Sequence, residues 1–249
     1  MFPTILVGQD ICHWFPERCK HLSNETPKSK IALVIGNTNY DNDIWDLKNP
    51  TNDANLIANS FKKLEFNVIL KENLNQEQFL DVLEEFKEKQ VEYDFSIIYY
   101  AGHAIQDDNG NSYILPVDFE NKEQLDKAKL FNISNLLNFF EHSGNNCLMI
   151  LDACRNDGNV GLPKPLIEDP KNIKLAYSTS FGNTASDNST LPNSLYTSIL
   201  STMLNVDGLT ITNILDNTAK FVLMDTKEKQ NPTHYFGVHV TNIQLKNKK

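Results

Sequence analysis

The chain has 249 residues, of which 40% are apolar and 10% aromatic, so it can bury a sizeable core as one large domain, and disorder over most of its length is excluded. Twenty-three basic against 32 acidic residues give a net charge of -9. That balance excludes a dedicated nucleic-acid binder, which needs a basic face, and leaves basic peptides and proteins open as partners. No apolar run approaches the ~18 residues of a membrane-spanning helix, so no membrane association is expected. The opening MFPTILVGQDICHWFPERCKHL has no basic start followed by a long apolar stretch and does not read as a secretory signal. Four cysteines, Cys12, Cys19, Cys147 and Cys154, are too few for a disulfide scaffold. A reducing, cytoplasmic setting is the expectation.

In chain order, residues 1–29 stand apart as an N-terminal extension ending in the polar stretch SNETPKSK. KIALVIG, 30–36, is a short apolar run closed by glycine and predicts a buried strand. Ala54, Ile57, Ala58 and Phe61 then fall on one helical face, and FNVIL, 66–70, predicts a second strand. Asn75 and Gln78 have the spacing of a capping pair for a helix whose apolar face is Phe79, Val82, Leu83 and Phe86. FSIIYYA, 95–101, is a strongly apolar strand, and SYILPV, 112–117, a short one. Ile133, Leu136, Leu137 and Phe140 repeat the helical spacing. CLMILDA, 147–153, and IKLAYST, 173–179, are further buried strands, and Cys147 reads as core. Helices over about 193–205 and 210–226 and a last strand near 234–240 complete the series. Alternating strands and amphipathic helices predict an α/β domain with a mainly parallel sheet of about six strands. The segment NDGNVGLPKPLIEDPKN, 156–172, has no periodicity and reads as a long exposed loop.

Sites in an open parallel sheet form beyond the carboxyl ends of its strands. FSIIYYA runs into Gly102-His103, and CLMILDA into Cys154-Arg155. Central, parallel strands would bring His103 and Cys154 to one edge. There an imidazole can take the thiol proton and create a nucleophile near neutral pH. The alternative for the two residues alone is a core cysteine and a surface histidine.

The surrounding motifs decide between these. KIALVIGNTNY, NPTNDANLIANSFKKLEFNV, YYAGHAIQ, ILPVD, LMILDACRND, AYSTSFGNTASD and NSLYTSIL occur in this order. Together they resemble the caspase-like cysteine peptidases, most closely the metacaspase, paracaspase and bacterial types. The resemblance covers about residues 30–235, and the spacing of 51 from His103 to Cys154 is near the separation found in caspases. It implies a three-layer caspase-like sandwich over 30–245, divided into a large-subunit-like part, 30–156, a loop, 157–172, and a small-subunit-like part, 173–245. It also implies a Cys-His dyad of Cys154 and His103, with an oxyanion hole formed by the backbone N–H groups of Cys154 and of the residue after the histidine. That residue is normally glycine and here is Ala104, which lacks glycine's freedom at positive φ. A catalytically inactive scaffold is therefore the second reading.

The resemblance further implies a primary specificity pocket lined by Asp152, two residues before the cysteine, and Asp53, 50 residues before His103. Asp187 is a third pocket candidate. Acidic groups in such a pocket select a cation, so cleavage after Arg or Lys of a protein or peptide substrate is expected. The alternative is that Asp53 caps its helix and Asp152 pins the cysteine loop. Lys164, Lys171 and Lys174 are candidate self-cleavage points in or beside the loop. Regulated cell death, stress response or defence is the setting the family implies, with an activator or regulatory partner. No cofactor is expected. Cys12, His13, Cys19 and His21 fit no standard zinc spacing. Asp107, Asp108 and Asp118 form no compact calcium-ligand pattern, although some metacaspases depend on calcium. Gly36-Asn37 lacks the glycines of a phosphate loop, which disfavours a nucleotide-binding regulator.

Overall fold

The computed structural model describes residues 26–106, 111–120, 131–141, 146–154, 173–179, 191–236 and 243–246. β1 (Lys30–Gly36) is buried at every position, as its unbroken apolar sequence requires of a central parallel strand. It pairs in parallel with β2 (Asn67–Glu72) on one side and β3 (Phe95–Gln106) on the other. β5 (Asn146–Cys154) and then β6 (Ile173–Tyr177) continue the parallel array, and β7 (Thr233–Phe236) closes it antiparallel. The strand order is β2-β1-β3-β5-β6-β7, and β4 (Ser112–Ile114) pairs antiparallel with the end of β3.

β3 is the main departure from the sequence expectation. Its apolar run ends at Ala101, yet the strand continues to Gln106, because the β4 hairpin supplies partners to Ala104, Ile105 and Gln106 after β1 has ended. The histidine therefore lies within a strand. The last strand begins at Thr233 and is described to Phe236, and the short strand after β3 stops at Ile114.

Among the described residues, five α-helices cover the two faces. α2 (Gln76–Gln90) and α3 (Ile133–Glu141) pack Phe79, Phe86, Leu137 and Phe140 on Leu33, Ile98, Met149 and Leu151. On the other face α1 (Pro50–Lys63), α4 (Leu195–Leu204) and α5 (Ile211–Asp225) pack Ile57, Phe61, Leu200 and Leu215 on Val34, Ile97, Leu148 and Ile150. Fully burying one such side chain contributes about 1.5–3 kcal/mol. The expected capping box on α2 is present: Asn75 Oδ1 accepts the Gln78 N–H at 2.9 Å and Gln78 Oε1 the Asn75 N–H at 3.2 Å. Cys147 is wholly buried, and burial pushes its thiol up to about 12, as suits a core position.

Two placements matter for the site. A Cβ on Gly36 would lie 2.5 Å from the Pro50 carbonyl oxygen, so this glycine lets the first turn of α1, with Asp53, close onto the end of β1. Ser194 caps α4 by accepting the Thr197 N–H, which brings that helix start to the same edge.

Candidate active site

β3 and β5 run parallel in a register that pairs Ala101 with Asp152, Gly102 with Ala153 and His103 with Cys154. The two residues proposed for catalysis are thus direct neighbours at the carboxyl edge of the sheet, although they lie 51 positions apart in the chain.

The imidazole of His103 is 2.7 Å, through Nε2, from the Trp45 carbonyl oxygen. A carbonyl only accepts, so Nε2 carries the proton and Nδ1 keeps its lone pair for proton transfer. Burial lowers the His103 pKa, and the Trp45 carbonyl partly opposes this by favouring the charged ring. The ring is flanked by Tyr40, with centroids 4.9 Å apart, and by the edge of Trp45 at 5.4 Å. Tyr100 Oη lies 2.8 Å from the His103 carbonyl oxygen and 2.9 Å from that of Leu115, and shares its one proton between them. A Cβ on Gly102 would come within 2.5 Å of Tyr100 Oη and 3.0 Å of Tyr40 Oη, which explains why glycine precedes the histidine.

Ala104 lies in β3 and is not among the residues of positive φ, so an alanine here carries no backbone strain. Leu115 N–H donates to the His103 carbonyl, which makes 103–115 a hydrogen-bonded position of the β3–β4 ladder. The alternation of the ladder then turns the Ala104 N–H away from β4, to the side where β5 ends in Cys154.

Asp53 and Asp152 meet at the start of α4. Asp53 Oδ1 accepts Asn193 Nδ2 and the Ser194 N–H, both at 2.9 Å. Asp152 Oδ2 accepts Ser194 Oγ at 2.5 Å and Thr197 Oγ1 at 2.7 Å. Tyr99 Oη lies 2.5 Å from Thr197 Oγ1 and extends the chain into the core. Asp53 is the fourth residue of α1, whose N-cap is Asn49, so it is not the cap of its own helix. Among the described residues Asp152 ties down the start of α4, and the loop after Cys154 lies outside them. Both are buried, at 2% and 7% exposure, and among the described residues neither has a cationic partner. Burial, then the nearby Asp152, push the Asp53 carboxyl up to about 7 against its hydrogen bonds from Asn193 and Ser194. Asp53 Oδ1 and Asp152 Oδ2 thus each accept two hydrogen bonds, and the Ser194 side chain also favours the charged form of Asp53.

Asp187, Lys164, Lys171, Asp107, Asp108 and the cysteines and histidines of residues 1–29 lie outside the described residues. Lys174 belongs to β6 and is paired with both Leu148 and Phe236, so it is no loop cleavage point: a protease needs a free, extended backbone. Asp118 is engaged by the Gln76 N–H at 2.9 Å. Asn37, wholly buried, bridges Leu115 and Leu74, and Gly36-Asn37 is a packing device rather than a phosphate loop. Tyr40, Trp45, Tyr100, Asn193, Ser194 and Thr197 were not singled out from the sequence. The available signal was the position of Tyr40 in KIALVIGNTNY and of Ser194 and Thr197 in NSLYTSIL, at capping spacing.

A mainly parallel three-layer sandwich with histidine and cysteine on adjacent strand ends is the architecture of a caspase-like protein, and the family model for the caspase domain matches residues 29–240. The chain belongs to the caspase-domain family. It is similar to the mucosa-associated lymphoid tissue lymphoma translocation protein 1 of human, at 29% identity over 200 residues, 78% of this chain and 24% of that protein. The mouse homolog is 27% identical over 215 residues, 82% of this chain and 25% of that protein. The paracaspase of Dictyostelium discoideum is 28% identical over 171 residues, 64% of this chain and 39% of that protein. The chain thus spans about a quarter to two-fifths of the length of these curated relatives. Among the described residues, no helix is long and apolar enough to cross a membrane.

Proposed function

We propose that this chain is a cysteine endopeptidase that cleaves protein or peptide substrates after Arg or Lys. The observation that carries the reading is the pairing of His103 with Cys154 at the sheet edge, with the proton of the imidazole fixed on Nε2. In this reading His103 Nδ1 takes the Cys154 proton, and the thiolate attacks the carbonyl carbon on the acyl side of the scissile bond. The Cys154 and Ala104 N–H groups receive the developing oxyanion. His103 then gives its proton to the departing amine, leaving an acyl-enzyme. It next takes a proton from water, which attacks the thioester, and Cys154 leaves as thiol.

Asp53 and Asp152 support selection of a basic side chain. A pair of buried acids with no cation beside it among the described residues is an unfavourable arrangement that a bound guanidinium or ammonium relieves. Asp187 would add a third acid to the pocket. No cofactor enters these steps. A cytoplasmic setting, a regulatory partner and a role in cell death, stress or defence belong to the same proposal, on the strength of the family.

Fluorogenic peptides ending in Arg, Lys or Asp test the reading, with and without calcium, beside Cys154→Ala and His103→Ala. Release after Arg or Lys that disappears in both variants is expected. Release after Asp alone, or activity surviving in Cys154→Ala, would overturn it.

A further inference from the structure

The Gly102-His103 step sits in a gap of the sheet. β1 serves β3 as far as the Gly36–Ala101 pair, and β4 begins at Ala104–Ile114. Leu115 N–H reaches the His103 carbonyl at 3.0 Å, but the Leu115 carbonyl accepts instead from Asn37 Nδ2 at 3.0 Å and Tyr100 Oη at 2.9 Å. No strand is left to receive the His103 N–H. The Tyr40 hydroxyl takes that place, accepting the proton at 2.9 Å. Tyr40 is only 4% exposed, and its ring lies against the imidazole.

Tyr40 is itself held. Its N–H donates to Asp46 Oδ1 at 2.7 Å, which closes the loop from Tyr40 to Asp46. Trp45, whose carbonyl orients Nε2, is the residue just before this tie. The Leu47 N–H to Thr38 carbonyl bond, 3.0 Å, closes the same loop one step further out. One loop therefore grips His103 twice: by a phenol on its main chain and by a carbonyl on its ring.

We propose that Tyr40 is a positioning residue for His103, and that Asp46 acts through it by setting the loop. The inference rests on the reading of His103 as the base. Because the hydroxyl meets the histidine backbone and not the substrate, its loss changes turnover and leaves substrate affinity alone.

The test uses the full chain. Tyr40→Phe keeps the buried ring and removes the acceptor. It is expected to lower kcat on an Arg-ending peptide about tenfold, with KM within about twofold of the parent. Hydrogen exchange at the His103 amide, followed by NMR, is expected to speed up by a comparable factor. Asp46→Ala is expected to reproduce both effects, and Asp46→Asn, which retains an acceptor oxygen, to restore them. Parental kcat and parental His103 exchange in Tyr40→Phe would overturn the proposal. If the parent cleaves no peptide, the peptidase reading fails by itself, and the amide-exchange arm still decides whether Tyr40 holds His103. If Tyr40→Phe does not fold, the Asp46 pair, at an exposed position, decides by the same readouts: equal exchange and kcat in Asp46→Ala and the parent would overturn the proposal.

Discussion

Two groups of buried polar side chains lie at the same edge of the sheet, and they are built on opposite principles. Around His103 the groups close on one another: Nε2 on the Trp45 carbonyl, N–H on Tyr40, carbonyl on Tyr100 and Leu115. Burial favours the neutral imidazole, and among the described residues the lone pair of Nδ1 is left open. Around Asp53 and Asp152 the donors come from Asn193, Ser194 and Thr197, the two carboxyls lie together, and among the described residues nothing positive answers them. The first cluster closes on its own groups, whereas the second sets two buried acids together, which the proposed basic substrate would answer. Rigid geometry therefore sits where proton transfer is proposed, and electrostatic cost sits where selection is proposed.

The largest expected effect breaks the second cluster. Changing both Asp53 and Asp152 to Asn should lower kcat/KM for Arg-ending peptides by about a hundredfold or more, read from initial rates, because two charge-assisted contacts are lost. Peptides ending in neutral residues should change far less. The first cluster breaks most directly at Gly102→Ala. The new Cβ meets Tyr100 Oη at 2.5 Å, and overpacking of this kind costs about 1–3 kcal/mol, measurable by denaturant unfolding. Trp45→Ala keeps the carbonyl but removes the ring edge against the imidazole, and a fall in kcat of about tenfold is expected.

The smallest effect sharpens the contrast. The Asp53 carboxyl is raised from 3.8 to about 7 in the folded chain, so the folded state holds a proton that the unfolded state releases. Its contribution to stability is thus fully present below about pH 4, is lost as pH rises to 7, and is absent above. Asp53→Asn should raise Tm by a few degrees at pH 8, by less at pH 5, and not at all near pH 3.5, in thermal melts of parent and variant. A basic peptide should in turn bind more tightly as pH rises through about 7, since the cation displaces that proton. A Tm gain equal at pH 3.5 and pH 8 would show that the acid pair carries no such cost.

Much of this was legible in the sequence, for reasons that differ by element. β1 and the apolar part of β5 are buried on both faces, so KIALVIG and CLMILDA announce themselves as continuous runs, and the capping box at Asn75 and Gln78 is a purely local signal. The residues His103, Cys154, Asp53 and Asp152 came from strand ends and family motifs, and the structure brings each pair together. The end of β3 was not legible, because its last residues owe their strand state to the β4 hairpin and not to their own pattern. Nor were the supports. Trp45 lies 58 residues from His103, and Ser194 lies 141 from Asp53 and 42 from Asp152. Such contacts follow from sheet order, which periodicity does not encode. The concern over Ala104 arose from expecting a loop, and it falls away because the position is a strand.

The central claim is that Cys154, activated beside His103, meets substrates through an acid pocket. Intact-mass measurement of the protein after exposure to electrophilic peptides ending in Arg or in Asp tests both halves at once. The account predicts one adduct, on Cys154, from the Arg peptide alone, lost in His103→Ala and strongly slowed when both Asp53 and Asp152 are Asn. Equal labelling by the two peptides, or labelling of Cys154 that is indifferent to His103, would contradict it.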